Sequence, residues 1–107
     1  MSELLDEFEQ HLRDDGRSKR YAHDRRLYAE RVSDAAGAER PADLTPARVT
    51  AAVASIRRNL SLSPLTAGYH VSAVKQFTRW LASCRKSEPT DHLSALACEL
   101  DYSRSAA

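Results

Sequence analysis

The 107-residue sequence predicts an all-α fold, a compact bundle of four main helices arranged as two helical hairpins, followed by a short fifth helix. Three glycines and four prolines leave little material for the many tight turns of a β fold. No segment alternates apolar and polar residues for long enough to predict a strand. A hydrophobic fraction of 42% and a charged fraction of 29% are typical of a globular domain, and the length suits one hydrophobic core.

The first predicted helix runs from about Ser2 to Asp15. Ser2 is a suitable N-cap, acidic residues fill the first turn, and Gly16 stands where a left-handed residue ends many helices. The apolar residues of this helix recur at helical spacing and are Leu4, Leu5, Phe8 and Leu12.

The second predicted helix begins after Ser18, its N-cap, and reaches about Ala36, where Gly37 ends it. Arg25 interrupts its apolar stripe, which consists of Tyr21, Tyr28, Val32 and Ala35. The opposite face carries Lys19, His23, Arg26 and Glu30. The donors near the start of this face are suited to phosphate binding.

A connector that contains Pro41 separates the two predicted hairpins. Thr45 then caps a third helix, with Pro46 at the first helical position, where the missing N–H costs nothing. The stripe of this helix consists of Val49, Val53, Ile56 and Leu60.

Ser63 and Pro64 start the fourth predicted helix in the same way. Its core arc holds Val71, Val74, Phe77 and Leu81, with His70 tilted toward it and Trp80 at its margin. We expect Phe77 and Trp80 to pack in the core rather than form a stacking platform for single strands. The other arc, which has no acidic residue, holds Gly68, Tyr69, Ser72, Lys75, Gln76 and Arg79.

Positive charge is concentrated in the middle of the chain. The net charge of the whole is +1, yet residues 44–87 carry seven basic residues and no acidic one. Acidic segments lie on both sides of this region. A region of one sign attracts polyanions, and nucleic acid is the commonest such partner for a small helical domain. The alternative interpretation is an ordinary solvated basic surface.

The sequence offers no metal or cofactor motif. Cys84 and Cys98 have no CxxC or Cys/His cluster around them, and the four histidines are scattered. No apolar run approaches 18 residues and no signal peptide is evident, so we expect a cytoplasmic protein without a membrane segment. The fifth helix is expected near residues 91–97, with one domain over 1–97 and a loosely ordered tail over 98–107.

Several motifs resemble the core-binding, or SAM-like, N-terminal domain of tyrosine recombinases, the phage integrase and Xer family. The family's fourth-helix pattern appears here as Ser63, Thr66, Val71-Ser72-Ala73-Val74-Lys75, Phe77 and Trp80-Leu81. Three shorter family motifs are matched by Gly16-Arg17-Ser18, Asp43-Leu44-Thr45 and Glu88-Pro89-Thr90-Asp91-His92-Leu93. Two positions depart from the pattern, because Tyr21 replaces a usual threonine and Arg25 stands where an aromatic residue is common.

The resemblance implies two helical hairpins that clamp one face of duplex DNA while a separate catalytic domain clamps the other. In the family, the second and fourth helices approach the major groove. The implied role is DNA binding in site-specific recombination or integration, with double-stranded DNA and other recombinase protomers as partners and no small-molecule substrate. The implied setting is the nucleoid of a prokaryote, or a phage or plasmid system.

No catalytic activity is expected of this chain. The family's catalytic domain uses a tyrosine nucleophile and a His-x-x-Arg motif. The only match to that spacing, His23 to Arg26, falls in the second helix, which aligns with the binding domain. Tyr102 has no neighbouring bases that would lower its pKa, and no glycine-rich phosphate loop is present.

The candidate DNA-binding residues belong to the second helix or to the start and basic arc of the fourth: Lys19, Arg20, His23, Arg26, Ser63, Thr66, Tyr69, Ser72, Lys75 and Arg79. The basic residues are expected to contact phosphates, and Tyr69 and Ser72 to meet base edges. Tyr69 as a plain surface aromatic and Thr66 as a capping hydroxyl are the structural alternatives. The alternative function is a helical protein–protein interaction module that uses the acidic first helix and tail.

Overall fold

Four α-helices make up the fold in the computed structural model, which describes residues 1–84. They are α1 (Ser2–Asp14), α2 (Lys19–Ala35), α3 (Pro46–Leu60) and α4 (Pro64–Ser83), with a 3₁₀ turn over Pro41–Asp43. Within the described part of the chain there is no strand, so the all-α prediction is confirmed. The expected fifth helix, the tail and the domain boundary after residue 97 lie outside the described residues.

Helix α2 is the centre of the bundle. It packs against α1 in the first hairpin and against both α3 and α4 of the second. The α2–α4 contact is the most extensive of these, so the two helices that carry the candidate site lie side by side.

Hydroxyl side chains start three of the four helices, as predicted. Ser18 Oγ accepts from the N–H of Tyr21 (3.1 Å), and Ser63 Oγ accepts from that of Thr66 (3.2 Å). Thr45 Oγ1 plays the same part at α3. The prediction for α1 was wrong, because Ser2 is already helical and no side chain caps that helix. Each hydroxyl satisfies an amide that the first turn would leave unpaired.

Glycines end α1 and α2. Gly16 has φ +90 and Gly37 has φ +65, a region that other residues rarely adopt. At the end of α1, the N–H of Gly16 donates to the carbonyl of Arg13 and the N–H of Arg17 donates to the carbonyl of Leu12, each at 3.0 Å. This pair of hydrogen bonds is the Schellman pattern. The predicted helix ends are therefore confirmed.

The connector between the hairpins is held by a carboxylate. Asp43 Oδ2 accepts from the backbone N–H groups of Glu39 and Arg40, both at 3.1 Å. These two hydrogen bonds lower the pKa of Asp43 below its usual value. Leu44 follows and is fully buried, so the turn fixes the point at which α3 joins the core.

The core stripes of α1 and α4 are largely as predicted. Phe8 and Phe77 are fully buried and meet edge to face with ring centroids 5.3 Å apart. Trp80 is half-buried against Phe8 at 5.7 Å, which confirms that it belongs to the core rather than to a stacking platform. In the predicted stripe of α3, Val49, Val53 and Ile56 are buried. Leu60, at the end of that helix, is the exception and is 51% exposed.

The predicted stripe of α2 was partly wrong. Val32 is buried, but Tyr21 and Tyr28 are half-exposed and Ala35 is exposed. The buried residues are instead mostly small: Ala22, Ala29, Val32 and Ser33. Small side chains suit a helix surrounded by three others, because they let the neighbouring backbones approach closely.

Candidate nucleic-acid interface

The basic arc of α4 forms one continuous surface. Tyr69 is 43% exposed, Ser72 and Lys75 are half-buried, and Arg79 is exposed. Ser72, Lys75 and Arg79 line a cavity of about 290 Å³ together with Gln76 and, from α2, Arg25. We call this cavity the cationic pocket. Helical periodicity alone placed these α4 residues on one side, so this part of the candidate site is assembled as the sequence predicts.

Ser63 caps the start of α4 and is hydrogen-bonded to Thr66. Ser63 Oγ donates to Thr66 Oγ1 (3.0 Å) and accepts from the Thr66 N–H (3.2 Å). The N-cap is therefore Ser63, and the Thr66 hydroxyl accepts from the Ser63 hydroxyl rather than from a backbone amide. The two hydroxyls lie about 20 to 24 Å along the helix axis from the level of Arg79, so they would meet a different phosphate of a bound nucleic acid.

Arg26 is engaged within the protein. Its guanidinium lies 2.9 Å from Asp6 and 3.6 Å from Glu9 on α1, and 3.8 Å from Glu30 on α2. Its side chain is 23% exposed. Three carboxylates already surround this cation, so it joins α1 to α2 and offers little charge to an outside polyanion.

The other predicted residues of α2 do not line the cationic pocket. With about 100° between successive residues, Lys19 and His23 share the side of α2 that carries Arg26, toward α1. Both are exposed. Arg20 is 92% exposed, and its Nε lies 3.9 Å from Asp24. The structure thus does not bring these three residues together with the basic arc of α4.

Arg25 is the residue of α2 that lines the cationic pocket, and it was not among the residues that the sequence predicted for the site. Its Nη1 donates to the backbone carbonyl of Tyr69 on α4 (3.3 Å), and its guanidinium lies 5.3 Å from the centre of the Tyr21 ring. Arg17 lies 5.0 Å from the same ring. One feature of the sequence could have identified Arg25: it is a charged residue within the apolar stripe of α2. A charge at such a position indicates that this part of the stripe faces an open groove.

A second cavity adjoins Arg25. It has a volume of about 320 Å³ and is lined by Tyr21, Asp24, Arg25 and Tyr28 of α2 and by Tyr69 of α4. We call it the tyrosine pocket, and we call the two pockets together the α2–α4 groove. Arg25 lines both pockets, so it stands at the boundary between an aromatic and a cationic half of the groove.

The groove has a positive potential that changes the chemistry of Tyr21. Burial raises the pKa of the Tyr21 hydroxyl. Hydrogen bonds from Arg25 and Gln76, together with the charges of Arg25 and Arg17, lower that pKa by a larger amount. The net result is a pKa below the usual value. The same positive charges would also attract a phosphate.

His70 lies beneath this surface and is fully buried, as predicted. Its ring lies 4.4 Å from that of Tyr28. Nδ1 is 2.8 Å from the carbonyl of Thr66 and Nε2 is 3.5 Å from Arg31 Nη1. Because arginine can only donate, Nε2 is the acceptor and Nδ1 carries the proton. Burial chiefly lowers the pKa of His70, so the ring is held neutral.

Comparisons with known proteins add no identification. Neither a scan against protein-family models nor searches of curated proteins and of solved structures gave a match. Among residues 1–84, no group of His, Cys, Asp and Glu side chains is placed to hold a metal ion. In that same part of the chain, every helix is too short or too polar to cross a bilayer.

Proposed function

We propose that this chain binds duplex DNA through the α2–α4 groove, as the core-binding domain of a tyrosine-type site-specific recombinase. One observation carries the proposal: Arg25, Lys75 and Arg79 line a single pocket. The helix that supplies two of them has no acidic residue along its length. The family resemblance implies DNA contacts through the same two helices.

In this proposal, Lys75, Arg79 and Arg25 neutralise backbone phosphates and release counterions. Tyr69 and Ser72 face the bases, and the start of α4 at Ser63 supplies a backbone donor for a further phosphate. Arg20, Lys19 and His23 make outer contacts with the duplex. Arg26 is left out because its ion pairs with α1 occupy it.

The proposed domain is non-catalytic, and strand cleavage during recombination or integration would fall to a separate catalytic domain. Half of a clamp binds weakly, so we expect a Kd of about 10⁻⁴ to 10⁻⁶ M for the isolated chain, within the non-specific range. Recombinase protomers bound to the same DNA are the further partners, and the bacterial nucleoid in the cytoplasm is the proposed setting.

The test is fluorescence anisotropy of a labelled mixed-sequence duplex over a salt series that begins near 50 mM. We expect saturable binding. The logarithm of the association constant should fall linearly with the logarithm of the salt concentration, with a slope of about −0.9 for each phosphate contacted. Charge reversal of Lys75→Glu with Arg79→Glu should abolish it. Arg48→Glu with Arg58→Glu, a pair of exposed changes on α3 with the same change in net charge, is the matched control and should retain binding.

Absence of binding at low salt and high protein concentration would overturn the proposal. So would equal loss in the control and in the variant of Lys75 and Arg79, because the effect would then come from total charge rather than from the groove. The alternative, a protein-interaction module that uses the acids of α1, is less favoured, since Asp6 and Glu9 are already paired with Arg26.

A further inference from the structure

We propose that the tyrosine pocket holds one unpaired guanine base while the adjoining cationic pocket holds a phosphate of the same nucleotide. The inference rests on the proposed function in one respect, that the α2–α4 groove meets nucleic acid. It adds a binding site for a single nucleotide that duplex binding does not require.

The shape and lining of the tyrosine pocket suit a planar ring. Its volume of about 320 Å³ lies at the lower end of small-molecule sites, which span roughly 300 to 1,000 Å³. Tyr69 supplies the most exposed ring, whereas Tyr28 is already packed on His70. The guanidinium of Arg25 supplies a second flat surface. Aromatic rings and arginine planes are the surfaces on which proteins stack unpaired bases.

Asp24 selects the kind of base. Among residues 1–84 it is the one acidic residue that lines either pocket, and a carboxylate opposes phosphate binding. Arg20 Nε is 3.9 Å away, which is beyond hydrogen-bond range, and the Asp24 side chain is 40% exposed. Its oxygens can therefore accept hydrogen bonds from a ligand. Guanine presents two N–H donors side by side on its Watson–Crick edge, and a carboxylate can accept both.

That edge is used for pairing within a duplex, so the base must be unpaired to enter. Arg25 lines both pockets, which puts the base on one side of its guanidinium and the attached phosphate on the other. Gln76 also lines the cationic pocket, beside Arg25.

The experiment is calorimetric titration of the full chain with guanosine 5′-monophosphate, adenosine 5′-monophosphate, guanosine and inorganic phosphate. We expect the guanine nucleotide to bind more tightly than guanosine or phosphate, and about tenfold more tightly than the adenine nucleotide. Asp24→Asn should remove the preference between the two nucleotides. Asp34→Asn, an exposed change on the same helix, should preserve it.

Two strands then identify the source of the nucleotide. A short thymine strand with one central guanine that binds more tightly than an all-thymine strand points to unpaired nucleic acid. Equal strand binding alongside a positive nucleotide titration points to a free nucleotide. Both outcomes support the pocket.

The inference is overturned if phosphate binds as tightly as guanosine 5′-monophosphate, or if Asp24→Asn leaves the guanine preference intact. Its failure is distinct from that of the proposed function. Duplex binding without nucleotide binding removes only the pocket, and nucleotide binding without duplex binding removes only the duplex-binding function.

Discussion

The guanidinium of Arg25 on α2 donates a hydrogen bond to the backbone carbonyl of Tyr69 on α4, although the two residues lie 44 positions apart in the chain. The distance from Nη1 to the carbonyl oxygen is 3.3 Å. This bond joins the first hairpin to the second at the surface of the groove. The Arg25 side chain thus links the two helices and supplies a positive charge between them.

Arg25→Ala should reduce both stability and DNA affinity. We expect a loss of about 0.5 to 1.5 kcal/mol in the free energy of unfolding, since one hydrogen bond is removed. Arg25→Lys keeps the charge but not the planar fork, so it should retain more duplex affinity than the alanine variant. Urea unfolding and anisotropy measure the two effects. Equal duplex affinity in all three proteins would contradict a role for Arg25 in the groove.

Arg26→Ala should reduce stability but have little effect on DNA binding. Removing this cation leaves Asp6, Glu9 and Glu30 without their shared partner, and we expect the free energy of unfolding to fall by about 1 kcal/mol. The affinity for duplex DNA should change far less than in Arg25→Ala. Both variants lose one positive charge, so a larger loss of affinity in Arg26→Ala would show that the duplex lies on the α1 side.

Ser61→Gly should stabilise the protein. Ser61 has φ 52 and ψ 44 at the end of α3, a left-handed conformation that strains any residue with a Cβ. Glycine relieves that strain, and we expect a gain of about 0.5 to 1 kcal/mol and a higher Tm. Ser61→Ala keeps the Cβ and should leave the Tm nearly unchanged. A Tm that rises equally in both variants would rule out backbone strain as the cause.

The buried, neutral His70 should make the protein less stable in mild acid. Burial is the main cause of a pKa below the usual histidine value of about 6.5; the Thr66 carbonyl opposes this shift and the charge of Arg31 adds to it. The unfolded chain therefore binds a proton that the folded chain does not. Stability is fully present above about pH 6.5 and falls as the pH drops toward the folded pKa, by up to about 1.4 kcal/mol per pH unit.

Urea unfolding between about pH 7.5 and 5.5 measures this slope, in a window above the usual titration of carboxylates. His70→Gln should flatten the slope, whatever its stability at neutral pH. His23→Gln, on the exposed side of α2, should keep the slope of the unmodified protein. An unchanged slope in His70→Gln would assign the pH dependence to other groups.

The starts of α2, α3 and α4 and the ends of α1 and α2 could be predicted because their signals are local. Ser18 and Ser63 accept from amides three residues away, and Gly16 takes its left-handed conformation within the turn that it ends. The basic arc of α4 could also be predicted, since one helical period determines which residues share a side. Each of these depends on a few neighbouring residues.

The orientation of α2 could not be predicted in this way. Ala22 and Ala29 are too small to give a clear apolar pattern, yet they are fully buried because three helices surround them. The hydrogen bond from Arg25 to Tyr69 and the ion pair of Arg26 with Asp6 likewise depend on tertiary packing. The side of α2 that faces the groove is therefore a property of the assembled bundle.

The central place of α2 also bears on how the groove behaves in solution. A helix packed on three sides opens only with the whole bundle, so the amides of Ala22, Ala29 and Val32 should exchange with solvent at the rate set by global unfolding. Tyr21 and Arg25 project from that same helix. The backbone of this wall of the groove is thus as stable as the core, and a ligand meets a helix whose backbone entropy was already lost when the protein folded.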